Sequence, residues 1–216
     1  RRQGLELATS GALSRAVTVG ANLTFLDATY RSAEVVNGGS NSSNASAVDG
    51  FPGVDGTIAV QPGARIPLVP RQLLKLSAEL PLGRQFSVGA DVTAVGGAHA
   101  RGNENNAHAP DGTHYLGAGR SAGYAVFNLN GEWRPLRGLT VFLQVNNLFD
   151  RQYATAAQLG ATAFDANGNF RARPFGNAVY ADGSRPVVGS TFLAPGAPRS
   201  WRRMTNRDGS CAWTRS

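Results

Sequence analysis

Apolar residues recur at every second position through five stretches of this chain, with mostly polar or small residues between them. Residues 16–30 set Val17, Val19, Ala21, Leu23 and Phe25 against Thr18, Gly20, Asn22 and Thr24. Residues 71–80 set Leu74, Leu76, Ala78 and Leu80 against Lys75, Ser77 and Glu79, and residues 86–94 set Phe86, Val88, Ala90, Val92 and Ala94 against Ser87, Gly89, Asp91 and Thr93. The pattern returns at 124–134 and 139–149, and a short version, Leu5 and Leu7 against Glu6 and Ala8, opens the chain. A period of two belongs to a β-strand whose faces meet different surroundings; a helix would need a period near 3.6. Six strands follow from the pattern, and a seventh is expected near the end.

The connections alternate short and long. Turn-forming residues at 13–15, 81–85 and 134–138 make short links, whereas 31–69, 96–121 and 154–198 are long. A membrane β-barrel has short turns on its periplasmic side and long loops outside. A soluble β-sandwich also alternates, but several of these strands reach the roughly 9–11 residues needed to cross a bilayer at a tilt. The apolar faces carry no charge, while the opposite faces hold Glu6, Lys75, Glu79, Asp91 and Glu132. A charge is costly against lipid and tolerated in a watery lumen. The fold class is therefore all-β: a segment of six to seven strands from a larger antiparallel transmembrane barrel.

The formal charge of +7 marks no nucleic-acid surface, because the basic residues form no stripe. Five arginines (Arg199, Arg202, Arg203, Arg207, Arg215) stand against the single Asp208 in the tail, so +4 of the charge resides there. One cysteine, Cys211, allows no internal disulfide. No apolar run reaches the ~18 residues of a membrane helix, and the first residues lack a signal-peptide core. Such a start is expected inside a longer chain.

Chemistry-bearing motifs are sparse. No nucleophile elbow, phosphate loop or zinc-protease helix is present, so no enzyme and no cofactor are expected. His99, His108 and His114 lie near Glu104 and Asp111 but match no metal spacing, and they read as solvated loop residues with no metal.

At Asn146-Asn147-Leu148-Phe149-Asp150-Arg151-Gln152-Tyr153 the sequence resembles the Asn-Leu-Phe-Asp-x-x-Tyr signature of TonB-dependent outer-membrane receptors. Other segments agree in order: Gly4-Leu5-Glu6-Leu7, Leu26-Asp27-Ala28-Thr29-Tyr30, Ile66-Pro67-Leu68-Val69-Pro70, Gly123-Tyr124-Ala125-Val126 and Pro195-Gly196-Ala197-Pro198-Arg199. The resemblance covers residues 1–201. It implies part of a 22-stranded barrel that lies in the bacterial outer membrane, is surrounded by its lipid and is closed by an N-terminal plug. It also implies energy from the TonB complex, reached through an N-terminal region absent from this sequence, and a ligand such as a ferric siderophore. Asn146, Asn147, Leu148, Phe149, Asp150 and Tyr153 are expected to end a strand rather than bind ligand. Arg101, Arg120, Arg171 and Arg173 are the candidate ligand contacts, since guanidinium forks suit the anionic oxygens of a ferric chelate. The alternatives are a passive porin, an autotransporter barrel and a soluble β-sheet binding domain.

After Trp201 the family pattern stops. Residues 202–216 show no apolar alternation and bring the only methionine and cysteine, so a tail distinct from residues 1–201 is expected, with a frameshift as its origin. A nucleotide sequence that restores an aromatic-ended strand in another frame would bear this out.

Overall fold

The computed structural model describes residues 1–44, 56–172, 180–206 and 212–215, with side chains as far as Ser200. Among these residues the chain forms strands and no helix: β1 (Arg2–Ala12), β2 (Thr18–Ala28), β3 (Glu34–Asn37), β4 (Thr57–Val60), β5 (Gln72–Leu82), β6 (Phe86–Val95), β7 (Ala98–His99) and β8 (Tyr115–Leu116). They continue as β9 (Arg120–Ser121), β10 (Tyr124–Leu136), β11 (Leu139–Asn146), β12 (Ala154–Gly160), β13 (Gly189–Pro195), β14 (Ser200–Asn206) and β15 (Ala212–Arg215).

The long strands make one antiparallel sheet in the order β1-β2-β5-β6-β10-β11-β14-β15. All six strands expected from the alternation are present, each paired with its sequence neighbour. The register keeps like faces together. Leu7 lies opposite Leu23, which lies opposite Leu74; Asn22 lies opposite Lys75, which lies opposite Thr93. On the polar face the Asn128 side-chain amide donates to Asp91 at 2.7 Å. The apolar face has no layer beneath it: Leu5, Leu7 and Leu143 are each more than half exposed. A sandwich would bury these residues against a second sheet, so the sheet is a barrel wall, open in this chain, whose apolar face suits lipid.

At the short-turn end Phe86 and Trp133 sit opposite each other and stack with ring centroids 5.7 Å apart. The last of these turns is tighter than the sequence suggests. β10 runs on through Pro135 to Leu136 by means of a bulge, leaving only Arg137 and Gly138 between paired Leu136 and Leu139. A bulge is where a strand tolerates a proline, which has no N–H to donate, and Gly138 supplies the positive φ (81°) of the turn.

The described part of the tail joins the sheet. Residues 200–206 run as β14 along β11, with Val145 opposite Trp201, and 212–215 pair with β14 in turn. Main-chain pairing needs no apolar alternation, and the otherwise free edge of β11 presents N–H and C=O groups that seek partners.

The long connections build a second layer. β3 and β4 form a hairpin, β7 pairs with β9, and β12-β13-β8 form a small sheet in which β13 and β8 run parallel. Most of the buried apolar residues belong to this layer: Ile58, Val60, Ala100, Tyr115, Ala157, Leu159, Val187 and Val188. A fully buried Val or Ile contributes about 1.5–3 kcal/mol, so the loops hold their shape by a core of their own.

Because the wall's two faces meet different media, adjacent residues of β5 should respond differently to charge. Leu76→Arg, on the apolar face, should cost the complete receptor about 2–4 kcal/mol. Ser77→Arg, on the polar face, should stay within about 1 kcal/mol. Urea unfolding in lipid vesicles checks both, and equal costs would remove the assignment of faces.

Candidate functional site

Above the wall, the strands hand over to the loop layer at Gly96 and Gly97, after which Ala98 and His99 pair with Ser121 and Arg120. The segment around Arg65 is pinned beside them. Ile66 N–H donates to Ala28 carbonyl at 3.0 Å, and Leu68 N–H donates to His99 carbonyl at 2.9 Å. Asn106 clamps Arg65 by its main chain, its side-chain oxygen accepting the Arg65 N–H (2.6 Å) and its amide donating to the Arg65 carbonyl (3.0 Å).

Arg65, His99 and Arg120 thereby line one cavity of about 520 Å³, whose remaining wall is small residues such as Gly97, Ala118 and Ala122. Among the described residues neither arginine side chain makes an ion pair or hydrogen bond. Burial lowers the pKa of His99, and Arg65 and Arg120 lower it further. Burial also lowers that of Arg65, with Arg71 adding to the effect and Asp27 opposing it. Two guanidiniums, one of them partly buried, beside a half-buried imidazole form a site whose like charge an anion would relieve. His99 Nδ1 lies 3.5 Å from the Asn103 side-chain amide, which also donates to Gly119 carbonyl at 3.0 Å.

Of the three described arginines among the four expected to meet a ligand, only Arg120 reaches this cavity. Arg101 opens on a separate one of about 420 Å³ shared with Glu104 and Gln158. Arg171 is engaged within its own loop: it pairs with Asp182 at 2.6 Å, donates to Ser184 at 2.8 Å and lies 3.6 Å from the centre of the Tyr180 ring. Arg173 lies outside the described residues. Arg65 was missed because it precedes Ile66-Pro67, where the sequence reads as a strand start; its available signal was an arginine held next to a rigid proline segment.

The histidines are not the solvated residues that the Gly/Asn-rich composition suggests. His108 is 8% exposed, with Nδ1 accepting the Ser42 N–H at 3.2 Å and its ring edge-on to Tyr115. Asparagines make this possible, since Asn41 and Asn103 satisfy main-chain groups that a buried loop would otherwise orphan. His114 is bonded to Asp111 at 3.2 Å. Among the described residues no three His, Cys, Asp or Glu side chains gather as a metal site.

Burial lowers the pKa of His108 despite the raising effects of the Gly117 backbone and Asp111. Burial alone would raise the Asp111 carboxyl, but the Tyr115, Thr113 and His114 N–H groups and the His114 ring outweigh it and hold it at about 2. His108 thus contributes stability that is complete above its unfolded pKa of about 6.5 and declines as pH falls through its lower folded value. Asp111 stays ionised across that window. Acidification from pH 7.5 to about 5 should therefore loosen the contact between residues 38–44 and 100–119, read as faster limited proteolysis there. His108→Gln should flatten this response.

The strand-end motif is built around Asn147, which is 2% exposed and has φ of +50°. Its N–H donates to Asn128 Oδ1 (2.9 Å), its side-chain amide donates to the carbonyls of Arg151 (3.0 Å) and Ala197 (3.1 Å), and its Oδ1 accepts the Arg151 N–H (2.8 Å). Leu148 N–H donates to Phe127 carbonyl, and Asn146 donates to Ser200 Oγ. Asp150 accepts the Arg199 N–H, and Tyr153 OH accepts the Ala197 N–H. Phe149 packs edge-on against Phe127, and Tyr153 packs on Tyr124. These residues join the exit of β11 to the return segment ahead of β14, and none of them lines the cationic cavity.

Residues 1–148 match the family model described as TonB dependent receptor-like, beta-barrel. Among solved structures, the chain resembles the siderophore receptor PiuA from Acinetobacter baumannii, with TM-score 0.54 and 14% identity over 95% of this chain and 21% of that one. It also resembles the closed form of the ferric-catecholate import receptor Fiu from E. coli K12, with TM-score 0.53 and 20% identity over 95% of this chain and 20% of that one. The ferric yersiniabactin uptake receptor FyuA from Yersinia pestis gives TM-score 0.51 and 14% identity over 94% of this chain and 23% of that one. Such identities establish the fold alone, and the chain spans about a fifth of these receptors' length. No curated protein matches it in sequence. With the family model spanning more than two thirds of its 216 residues, the chain belongs to the TonB-dependent receptor β-barrel family, whose members are receptors and transporters of the bacterial outer membrane and not enzymes.

Proposed function

We propose that this chain forms part of the wall and ligand vestibule of a receptor that imports an anionic ferric chelate of the siderophore type. The observation that carries this is the cavity at the long-loop end, where the Arg65 and Arg120 guanidiniums, free of hydrogen bonds and ion pairs among the described residues, present positive charge beside His99. In an outer-membrane barrel that end faces the medium, so the site meets incoming ligand first. The energy for import would come from the TonB complex, contacted by a part of the receptor beyond this sequence. An anion-selective pore could also carry arginines, so it is the receptor-family match over residues 1–148 that favours a receptor over a porin.

Uptake of iron-55 chelates by iron-starved cells, with and without the complete receptor and with and without TonB, tests the proposal. Accumulation that needs both is the expected result. Entry that needs the barrel but not TonB would establish the porin instead.

A further inference from the structure

Resting on that reading, we propose that the cationic cavity selects ferric chelates that display free carboxylate groups, such as α-hydroxycarboxylate complexes, over tris-catecholates. The reason lies in which oxygens a chelate leaves available. A hexadentate tris-catecholate turns every anionic oxygen toward the iron, where it keeps charge but offers no free outward pair to a fork, and its outer surface is mostly ring edge and amide. A hydroxycarboxylate complex leaves carboxylate oxygens pointing outward. The cavity offers partners for the second kind. Arg65 and Arg120 are two planar forks suited to bidentate carboxylate binding, and His99 stands opposite Arg120 in the β7–β9 ladder.

The rest of the lining agrees. Its described members are Gly97, Ala98, Ala118, Ser121, Ala122 and Gly123 beside the two arginines and His99, with no Phe, Tyr or Trp on which a catechol ring could stack. The rings of this region are placed elsewhere: Tyr115 against His108 and Tyr124 against Tyr153. A volume of about 520 Å³ falls within the ~300–1,000 Å³ of small-molecule sites and suits a compact complex. The Asn106 clamp on the Arg65 main chain and the His99–Arg120 pairing fix where the forks start, which lessens the ordering cost of a two-point grip. Acid should help the same ligand: protonating His99, which faces Arg65, Arg120 and the Asn103 amide, adds a third positive charge.

The test uses the complete receptor in detergent with three probes: ferric citrate, a ferric tris-catecholate and ferric desferrioxamine B, a trihydroxamate with a cationic arm. Binding is read by tryptophan fluorescence at pH 7.5 and 6.0 on the wild type, Arg65→Lys, Arg120→Lys and His99→Gln. The lysine variants keep the charge and lose the fork, so a merely electrostatic role leaves them unchanged. The expected result is tightest binding of ferric citrate, about tenfold weaker with each lysine variant. Its affinity should also rise at pH 6.0 in the wild type but not in His99→Gln. Tighter binding of the tris-catecholate or trihydroxamate, or lysine variants that bind citrate as wild type does, would overturn the selectivity while leaving ferric-chelate import standing. Failure of all three probes would overturn the import reading itself.

Discussion

Replacing Asn147 by alanine should destabilise the receptor by about 3–6 kcal/mol and deplete it from the outer membrane. One buried side chain here serves three main-chain groups, the carbonyls of Arg151 and Ala197 and the N–H of Arg151. Leaving a buried polar group unpaired costs about 1–3 kcal/mol. Alanine would also inherit a φ of +50°, where a side chain other than Asn, Asp or Gly is disfavoured by about 1–2 kcal/mol. Glycine removes the second penalty but not the first, so Asn147→Gly should fall between alanine and wild type. Asn146→Ala loses two side-chain bonds, one donated to Ser200 and one accepted from Gln144, but leaves no buried main-chain group unpaired and should cost only about 1–2 kcal/mol. Urea midpoints in lipid vesicles and outer-membrane yield measure the series. If Asn146→Ala and Asn147→Ala are equally mild, the hub role is wrong.

Removing both Arg65 and Arg120 should weaken binding of an anionic ferric chelate by roughly 100- to 1,000-fold without lowering receptor yield. A hydrogen bond to a charged group contributes about 1.5–3 kcal/mol, close to tenfold or more in affinity for each fork. Neither guanidinium has a structural partner to lose, so Arg65→Ala/Arg120→Ala should fold normally; relief of crowded charge offsets part of any packing lost. Arg171→Ala is the matched control. Its guanidinium is spent on Asp182, Ser184 and Tyr180, so its removal should disturb the local loop and leave affinity within about twofold. Equilibrium binding to purified complete receptor separates the two, and the opposite ranking would move the site to the 160–172 loop.

The wall was legible in the sequence because its cause is local: each strand meets two media, and every second residue reports which. The register could be anticipated for the same reason, since slipping Leu23 by one place against Leu7 and Leu74 would turn the apolar face inward. The loop layer was not legible. Its pairings join segments far apart in the chain, as in Gly119 N–H to Thr191 Oγ1 or Asn41 to Asn105, and no period announces them. Histidine and asparagine in a Gly-rich stretch look solvated until the partner segments that cover them are known. The site fell between these cases. Arg120 was named as a candidate, but Arg65 joins it through main-chain bonds, from Leu68 to His99 and through the clamp of Asn106, a residue with φ of +60°, none of which carries a sequence signal of contact.

The separate core of the loop layer bears on how such a receptor can change its ligand. Because Ile58, Tyr115 and Leu159 come from three different connections yet are all buried in the same layer, transplanting one loop into another barrel would carry away half of each handshake. The recipient would gain orphaned asparagines and an unfilled hollow. New specificity in this architecture should therefore arise by exchange of cavity-facing side chains such as Arg65 and Arg120, or by inheritance of all the loops as a block, rather than by shuffling single loops.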